Sequence, residues 1–275
     1  MTDMIHRPTL YSYNTVERLL RGDFFHTVQW GSVAGELVGY PKDWPLVGIG
    51  TTNWFKRNGE IMIQGTVGEP EVYWSDPEGV SPMHIIDLMR EHPSESGPAL
   101  KSPSMEENSE IPSFPFLAAA VCDPATIQVW DAPATEHLHE WVSAKMEESN
   151  IGLAAVRVAG AFDFVSYSTA FYLPLEGLKL TDGYNAKNNM KLAECGSGQW
   201  SAGGIYAANP TIQNMISIAG HPLHLHGFET QSQHGGHIVR MKTSGVKVTL
   251  WPIKDLMMEI KNLDQAWQPI RNLSL

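Results

Sequence analysis

Two histidines one residue apart, with a third after a Gly-Gly pair, constrain the fold of this chain most strongly. Alternate residues of a β-strand face the same side, so His224 and His226 would project together from one strand. Ten residues separate His226 from His237, and Gly235-Gly236 just before His237 permits the close backbone approach of a returning strand. The pattern predicts two antiparallel strands that bring three imidazoles together.

Three imidazoles on one side of a sheet can hold a metal ion. Neutral imidazoles reach an ion at about 2.0–2.1 Å, and three of them leave a fourth position open, as in catalytic zinc sites. Zinc is therefore the default, while the ligand type leaves other divalent transition metals open. We interpret the nearby His221 and His234 as solvent-facing or as neighbours of the ligands. The alternative is a strand with surface histidines.

The charge of the chain excludes several classes of partner. Of 275 residues, 19 are Lys or Arg and 30 are Asp or Glu, a formal charge of −11. Such a surface repels nucleic acid and anionic lipid, and no apolar run reaches the roughly 18 residues of a membrane span.

Residues 1–13 lack the pattern of a signal peptide. Two cysteines, Cys122 and Cys195, make no disulfide framework, so we expect the reducing cytoplasm.

The pattern of apolar residues predicts few helices. They are predicted over 14–21 and 135–149. In the second helix Thr135 is the expected cap, and Asn150 is expected to end it. Its His137 and His139 lie about 200° apart around the helix, so we expect them to be poor co-ligands.

Strands account for most of the remaining pattern. An Asn58-Gly59 turn is expected to close a hairpin near the start of the chain, and Ala159-Gly160-Ala161 to separate two later strands. The predicted strands cover 46–50, 60–63, 114–121, 151–158, 162–170, 212–218, 223–228, 237–241 and 246–250. This content predicts the α+β class.

A stretch rich in Pro, Ser and Glu divides the chain. Residues 91–113 contain four prolines and few bulky apolar residues, which is typical of a long exposed loop or linker. We therefore predict an N-terminal lobe over 1–112 and a C-terminal, metal-binding lobe over 113–275.

Together these motifs resemble the α-acetolactate decarboxylase family. Its members carry His-Leu-His and then Gly-Gly-His, with the same spacings of two and eleven that separate His224, His226 and His237. Other similar segments follow in the same order over roughly residues 14–255. They are 48–60, 112–114, 150–162 and 203–220.

The resemblance implies a fold, a reaction and a set of site residues. The fold would be two similar α/β lobes with mixed, largely antiparallel sheets, commonly assembled as a homodimer. The protein would be a zinc-dependent carboxy-lyase, releasing CO₂ from a small 2-hydroxy-3-oxo acid to give a ketone such as acetoin. By the same resemblance His224, His226 and His237 are the zinc ligands, Glu60 is a carboxylate near the metal and Arg157 faces the substrate.

Such chemistry suits these residue types. A metal ion stabilises the enolate left by CO₂, an arginine can bind a carboxylate with two hydrogen bonds, and Glu60 or Arg157 would supply the proton. Leu153 and Ala155 share a strand face with Arg157, which indicates a half-buried arginine. The alternatives are an edge-strand Arg157 paired with a surface carboxylate and a solvated Glu60.

Three departures from the family pattern suggest a different substrate. This chain has His221-Pro222-Leu223 before the ligand pair, and its first hairpin is about two residues longer. Family enzymes also bring a glutamate in from a C-terminal tail, where only Glu259 or Asp264 stands as a candidate here. We expect a more open cleft and a larger substrate. The alternative reaction is therefore a related lyase, isomerase or cyclisation step in a specialised biosynthetic pathway.

Other classes share parts of the histidine pattern. The run from His221 to Gly227 resembles the copper motif of multicopper oxidases, but neither cysteine has the histidine neighbours that those enzymes need. A cupin-like metalloprotein would use the His-x-His pair with Glu229. A non-catalytic family member that binds a ligand or a partner is the third possibility. Analysis of bound metal separates these classes.

Overall fold

The protein is built on two β-sheets that pack face to face. The computed structural model describes residues 6–16, 28–54, 57–75, 113–169, 191–217, 221–232 and 234–259. Within these ranges the content is mostly strand with few helices, so the predicted α+β class with mixed, largely antiparallel sheets is confirmed. No helix of the described ranges is long and apolar enough to span a bilayer.

The first sheet gathers strands from both ends of the chain. Its strands are β1 (Thr9–Tyr13), β2 (Val28–Gln29), β3 (Leu46–Trp54), β4 (Arg57–Gly65), β5 (Pro70–Ser75), β6 (Ser113–Val121) and β13 (Asp255–Glu259). Their order is β13-β1-β6-β3-β4-β5, and β2 pairs with β6. Only β1 and β13 pair in parallel among these described strands.

The second sheet is antiparallel and contains the histidine motif. Its strands are β7 (Gln128–Ala132), β8 (Leu153–Thr169), β9 (Lys191–Cys195), β10 (Gly198–Ala207), β11 (Leu223–Glu229) and β12 (Gly235–Pro252). Their order is β7-β12-β11-β10-β8-β9, and β12 also pairs with β8. The pairings β8-β10-β11-β12-β8 therefore form a closed circuit.

Buried apolar side chains join the two sheets. Val47 and Ile49 of the first sheet share one core with Ala155 and Ile205 of the second. A second core fills the other face of the second sheet, where α2 (Leu138–Glu148) covers it. A third lies on the outer face of the first sheet under α1 (Trp30–Glu36). Each sheet thus has a buried core on both faces, and side chains within the shared core are kept from water.

The helices differ from the sequence prediction in two respects. α2 begins three residues late, with His137 at its N-cap, because Thr135 instead pairs with Thr243. Asn150 ends it as expected, in the left-handed conformation at φ 54°. The predicted strand over 212–218 is wrong, since 212–216 belong to α3 (Pro210–Ile216) and Ser217 caps its end, while residue 218 lies outside the described residues. Asn209 caps α3 through its side chain, and a proline at the first position favours a helix.

The strand boundaries also need correction. Trp54 pairs with Arg57, so Asn58-Gly59 lies inside β4 and is not the hairpin turn. Ala159-Gly160-Ala161 does not separate two strands, because β8 continues through it with Gly160 at φ 144°. Similarly, β12 runs unbroken across the two strands predicted there, with register shifts against β8. The residues that were expected to form turns or breaks therefore lie within strands.

Two other expectations fall largely outside the described part of the chain. Beyond Val16 the helix predicted over 14–21 lies there, as does the loop predicted over 91–113 up to Ser113. The lobe boundary at residue 112, which would make 113–275 the metal-binding lobe, stays a prediction. The sheets themselves do not divide the chain there, since β6 and β13 both belong to the first sheet.

Gly160→Ala should destabilise the protein. A Cβ at this positive φ is strained, and it would lie 3.1 Å from the Gly245 carbonyl oxygen and from the Val246 Cα. We expect a loss of about 1–3 kcal/mol in the free energy of unfolding, measured by denaturant titration. Gly152→Ala is the control, because its Cβ meets nothing within 4 Å. Equal stability of the two variants would contradict the strain at Gly160.

Candidate metal centre

The structure brings the three predicted ligands together between the sheets. His224 and His226 lie on β11, and His237 is the antiparallel partner of His226 on β12. The Nε2 atoms of His224 and His226 are 3.0 Å apart, and His224 Nε2 is 2.9 Å from His237 Nδ1. This trio, here called the histidine triad, could hold a metal ion. Its assignment as the ligand set stays a prediction.

Backbone carbonyls orient two of the imidazoles. His224 Nδ1 donates to the Ile216 carbonyl at 2.5 Å, and His226 Nδ1 donates to the Ile61 carbonyl at 2.8 Å. A carbonyl oxygen only accepts, so each Nδ1 carries the proton and each Nε2 keeps its lone pair. Metal-binding histidines are commonly held in this way. The outer hydrogen bonds thus point two lone pairs at the same spot.

Burial keeps the triad neutral. It lowers the pKa of His224 to about 4 and the pKa values of His226 and His237 well below the usual range. Two Nε2 lone pairs at 3.0 Å repel each other unless a cation lies between them. Neutral imidazole is also the form that binds zinc. The donor set therefore fits a divalent transition metal.

Glu60 lies beside the triad, supplied by the first sheet. Its Oε2 is 3.7 Å from His226 Nε2 and 3.5 Å from the Thr51 hydroxyl oxygen. Its side chain is 11% exposed, and burial raises the pKa of this carboxyl to about 8. The structure thus places Glu60 next to the predicted ligands rather than in solvent.

The Arg157 side chain lies on the same face of the second sheet as the triad, but its guanidinium contacts other groups. Gly203 pairs with His226 on one side and with Arg157 on the other, so the two side chains are two strands apart, about 10 Å. Arg157 Nη2 donates to the carbonyls of Leu46 at 2.9 Å and Gly65 at 3.2 Å. The guanidinium therefore links the two sheets in this structure. Its predicted contact with a substrate stays a prediction.

A small cleft opens beside Glu60 and His226. Side chains of β4 and β5 form one side, and β11 and β12 form the other. The lining residues are Glu60, Met62, Tyr73, Trp74, Ser75, His226, Gly227, Phe228 and Gly236. Its volume is about 20 Å³, enough for a water molecule.

The other candidate ligands lie away from this point. Glu229 accepts hydrogen bonds from the backbone N–H groups of Gln231 and Ser232, so it stabilises the turn and does not act as a cupin-like ligand. Cys122 is buried and Cys195 is half-buried, and neither belongs to the histidine cluster. Of the two tail candidates, Glu259 pairs with Tyr13 on β1, and Asp264 lies outside the described residues.

Sequence reasoning missed several groups around the triad. The carbonyls of Ile61 and Ile216 carry no signal in the sequence, because any residue supplies a carbonyl. Burial is the main cause of the lowered pKa values of His224 and His237, and the half-buried His139 of α2 adds to both shifts. The position of His139 relative to the apolar face of α2 is the sequence signal for that burial.

Each single change of His224, His226 or His237 to Ala should remove a donor from the centre. We expect zinc affinity to fall at least about 100-fold, since even loss of a residue that supports a ligand costs 10- to 100-fold. Titration calorimetry with zinc measures this. His137→Ala is the control, because His137 is 70% exposed and lies 3.4 Å from Glu140. Unchanged affinity in a His224→Ala/His226→Ala double variant would refute the assignment.

Comparison with known proteins places this geometry in a family. A family model described as alpha-acetolactate decarboxylase matches residues 99–269. The alpha-acetolactate decarboxylase of Bacillus subtilis strain 168 has a similar structure, with a TM-score of 0.63, 18% identity, and coverage of 94% of this chain and 92% of that chain. A Staphylococcus aureus protein of unknown function, described as similar to alpha-acetolactate decarboxylase, has a TM-score of 0.63 and 14% identity. The match covers 94% of this chain and 94% of that chain.

At these identities the solved structures show the fold alone, and no curated protein gives a match. The family model is the stronger finding, since it covers more than half of the chain. It also spans all three histidines of the triad. The chain therefore belongs to the alpha-acetolactate decarboxylase family.

Proposed function

We propose that this protein is a zinc-dependent carboxy-lyase that releases CO₂ from a small 2-hydroxy-2-alkyl-3-oxo acid such as acetolactate. The observation that carries this proposal is the convergence of His224 and His226 Nε2 with His237 Nδ1, next to the buried carboxyl of Glu60. Family membership supports the same reaction class. An open coordination position beside a buried acid suits decarboxylation followed by protonation.

The chain's own residues divide the reaction between them. When bound, a divalent cation supplies Lewis acidity towards the substrate oxygens. The triad holds it through three neutral nitrogens. The bond between the substrate carbon and its carboxylate breaks, and the electron pair moves towards the 3-oxo oxygen. Glu60 holds a proton on its carboxyl and gives it to the carbon that lost CO₂, and water then restores the proton.

The larger substrate expected from the sequence gives an alternative reaction. Aromatic side chains line the cleft beside Glu60 and His226, so an apolar part of a substrate has a surface to pack against. A related lyase, isomerase or cyclisation step on a larger compound is therefore the alternative proposal.

Incubation of the zinc-loaded protein with racemic acetolactate tests the proposal. We expect stoichiometric acetoin and CO₂. Glu60→Gln should keep its zinc but lose about 10²- to 10⁴-fold in kcat, because the amide cannot deliver the proton. Full zinc occupancy without CO₂ release would contradict the proposal and favour a non-catalytic family member.

Arg157→Lys should affect both stability and turnover. A single nitrogen, Arg157 Nη2, donates to both Leu46 and Gly65, and a lysine side chain is one atom too short to place its nitrogen there. These hydrogen bonds should therefore weaken, and the free energy of unfolding should fall by about 1–3 kcal/mol. If Arg157 also binds the substrate carboxylate, KM should rise beyond what the loss of folded protein explains. Denaturant titration and steady-state kinetics separate these effects. A fully stable variant would contradict the role in joining the sheets.

Assembly and location remain part of the proposal. We propose a homodimer in the cytoplasm, with a small-molecule substrate as the main partner. Light scattering on the purified protein measures the assembly. A monomer at micromolar concentration would overturn the dimer without affecting the proposed reaction.

A further inference from the structure

Two aromatic rings, one from each sheet, close the cleft on its apolar side. Tyr73 of β5 and Phe228 of β11 stack with ring centroids 4.5 Å apart and planes 22° apart. Both rings line the cleft that contains Glu60 and His226. We call this pair the aromatic wall. It supplies apolar surface beside Glu60 and His226, against which an alkyl group of a substrate would pack.

Hydrogen bonds hold the tyrosine half of the aromatic wall in place. The Tyr73 hydroxyl donates to Glu71 at 2.8 Å and accepts from the Gln64 side chain at 3.1 Å. Gln64 also donates to Glu71 at 3.0 Å and accepts from the Ser201 hydroxyl at 3.4 Å. These contacts restrain the Tyr73 ring, so the wall has a defined position.

Two glycines, Gly227 and Gly236, also line the cleft, and Gly227 is next to Phe228 on β11. A glycine presents only backbone, so the aromatic wall, Met62 and Trp74 supply the apolar side chains that a substrate alkyl group would contact.

We propose that the aromatic wall limits the length of the alkyl group that the substrate carries on its reacting carbon, so that affinity falls as this group lengthens. This inference rests on the proposed function, because it assumes that the substrate lies between Glu60 and the triad. A rigid pocket discriminates chains by one methylene about 10- to 200-fold. The wall is rigid for the reasons given above, so it suits this kind of discrimination.

Binding of unreactive analogues tests the wall separately from the reaction. The probes are 2,3-dihydroxybutanoates whose alkyl group on C2, the reacting carbon, is methyl, ethyl or propyl. They carry a 3-hydroxyl in place of the 3-oxo group, so they cannot lose CO₂. Calorimetry with the zinc-loaded protein should show Kd rising at least about tenfold from methyl to propyl. In Phe228→Ala this ratio should fall below about threefold.

Three further variants make the result specific. Tyr73→Phe keeps the ring but loses the hydrogen bonds to Glu71 and Gln64 that restrain it, so its ratio should fall below the wild-type ratio. Phe228→Leu should give an intermediate ratio and serves if the alanine variant folds poorly. Trp130→Ala removes one ring of another aromatic pair, on β7, and should leave the ratio unchanged. An equal ratio in the wild type, Phe228→Ala and Phe228→Leu would overturn the inference.

The outcomes distinguish this inference from the proposed function. Analogues that bind with the expected ratios, in a protein that forms no acetoin, would sustain the wall and overturn the decarboxylase. Acetoin formation together with a Kd ratio that does not change in the Phe228 variants would sustain the decarboxylase and overturn the wall. Failure of every analogue to bind would overturn the wall.

Discussion

The hydrogen bond from His226 to the Ile61 carbonyl joins the two sheets at the point where the chemistry is expected. It crosses from β11 of one sheet to β4 of the other at 2.8 Å, between groups with almost no access to water. The residue before Ile61 is Glu60, so the same stretch of β4 orients a ligand and supplies an acid. The triad lies wholly on the second sheet, so packing of the two sheets adds the acid and one orienting carbonyl to it, and the core around Val47 and Ile205 maintains that packing.

The sequence predicts those parts of the site that depend on the alternation of side chains along a strand. Alternation along a strand is a geometric rule, and it placed His224 and His226 on one face without knowledge of the fold. The return of His237 followed from a glycine pair and a short connection. Family resemblance added Glu60, which lies on a different sheet and has no periodic relation to the histidines.

Local signals failed where pairing across the sheet overrode them. Asn58-Gly59 reads as a tight turn in isolation, but the pairing of Trp54 with Arg57 leaves it inside a strand. Gly160 reads as a break, but two partner strands hold β8 through it. The end of Arg157 was unpredictable for a similar reason, since its acceptors are carbonyls more than ninety positions away in the chain. Every residue has a backbone carbonyl, so no sequence motif identifies the carbonyls that accept these hydrogen bonds.

The pairing of β13 with β1 has a consequence for folding during synthesis. β1 lies between β6 and β13, and its parallel partner comes from residues more than 240 positions later. The first sheet therefore cannot be completed until residues 255–259 have emerged from the ribosome, although its first strand is made at the start. Contacts so distant in the chain are slow to form. Until then one edge of β1 stays unpaired, and an unpaired strand edge is a site at which another chain can pair.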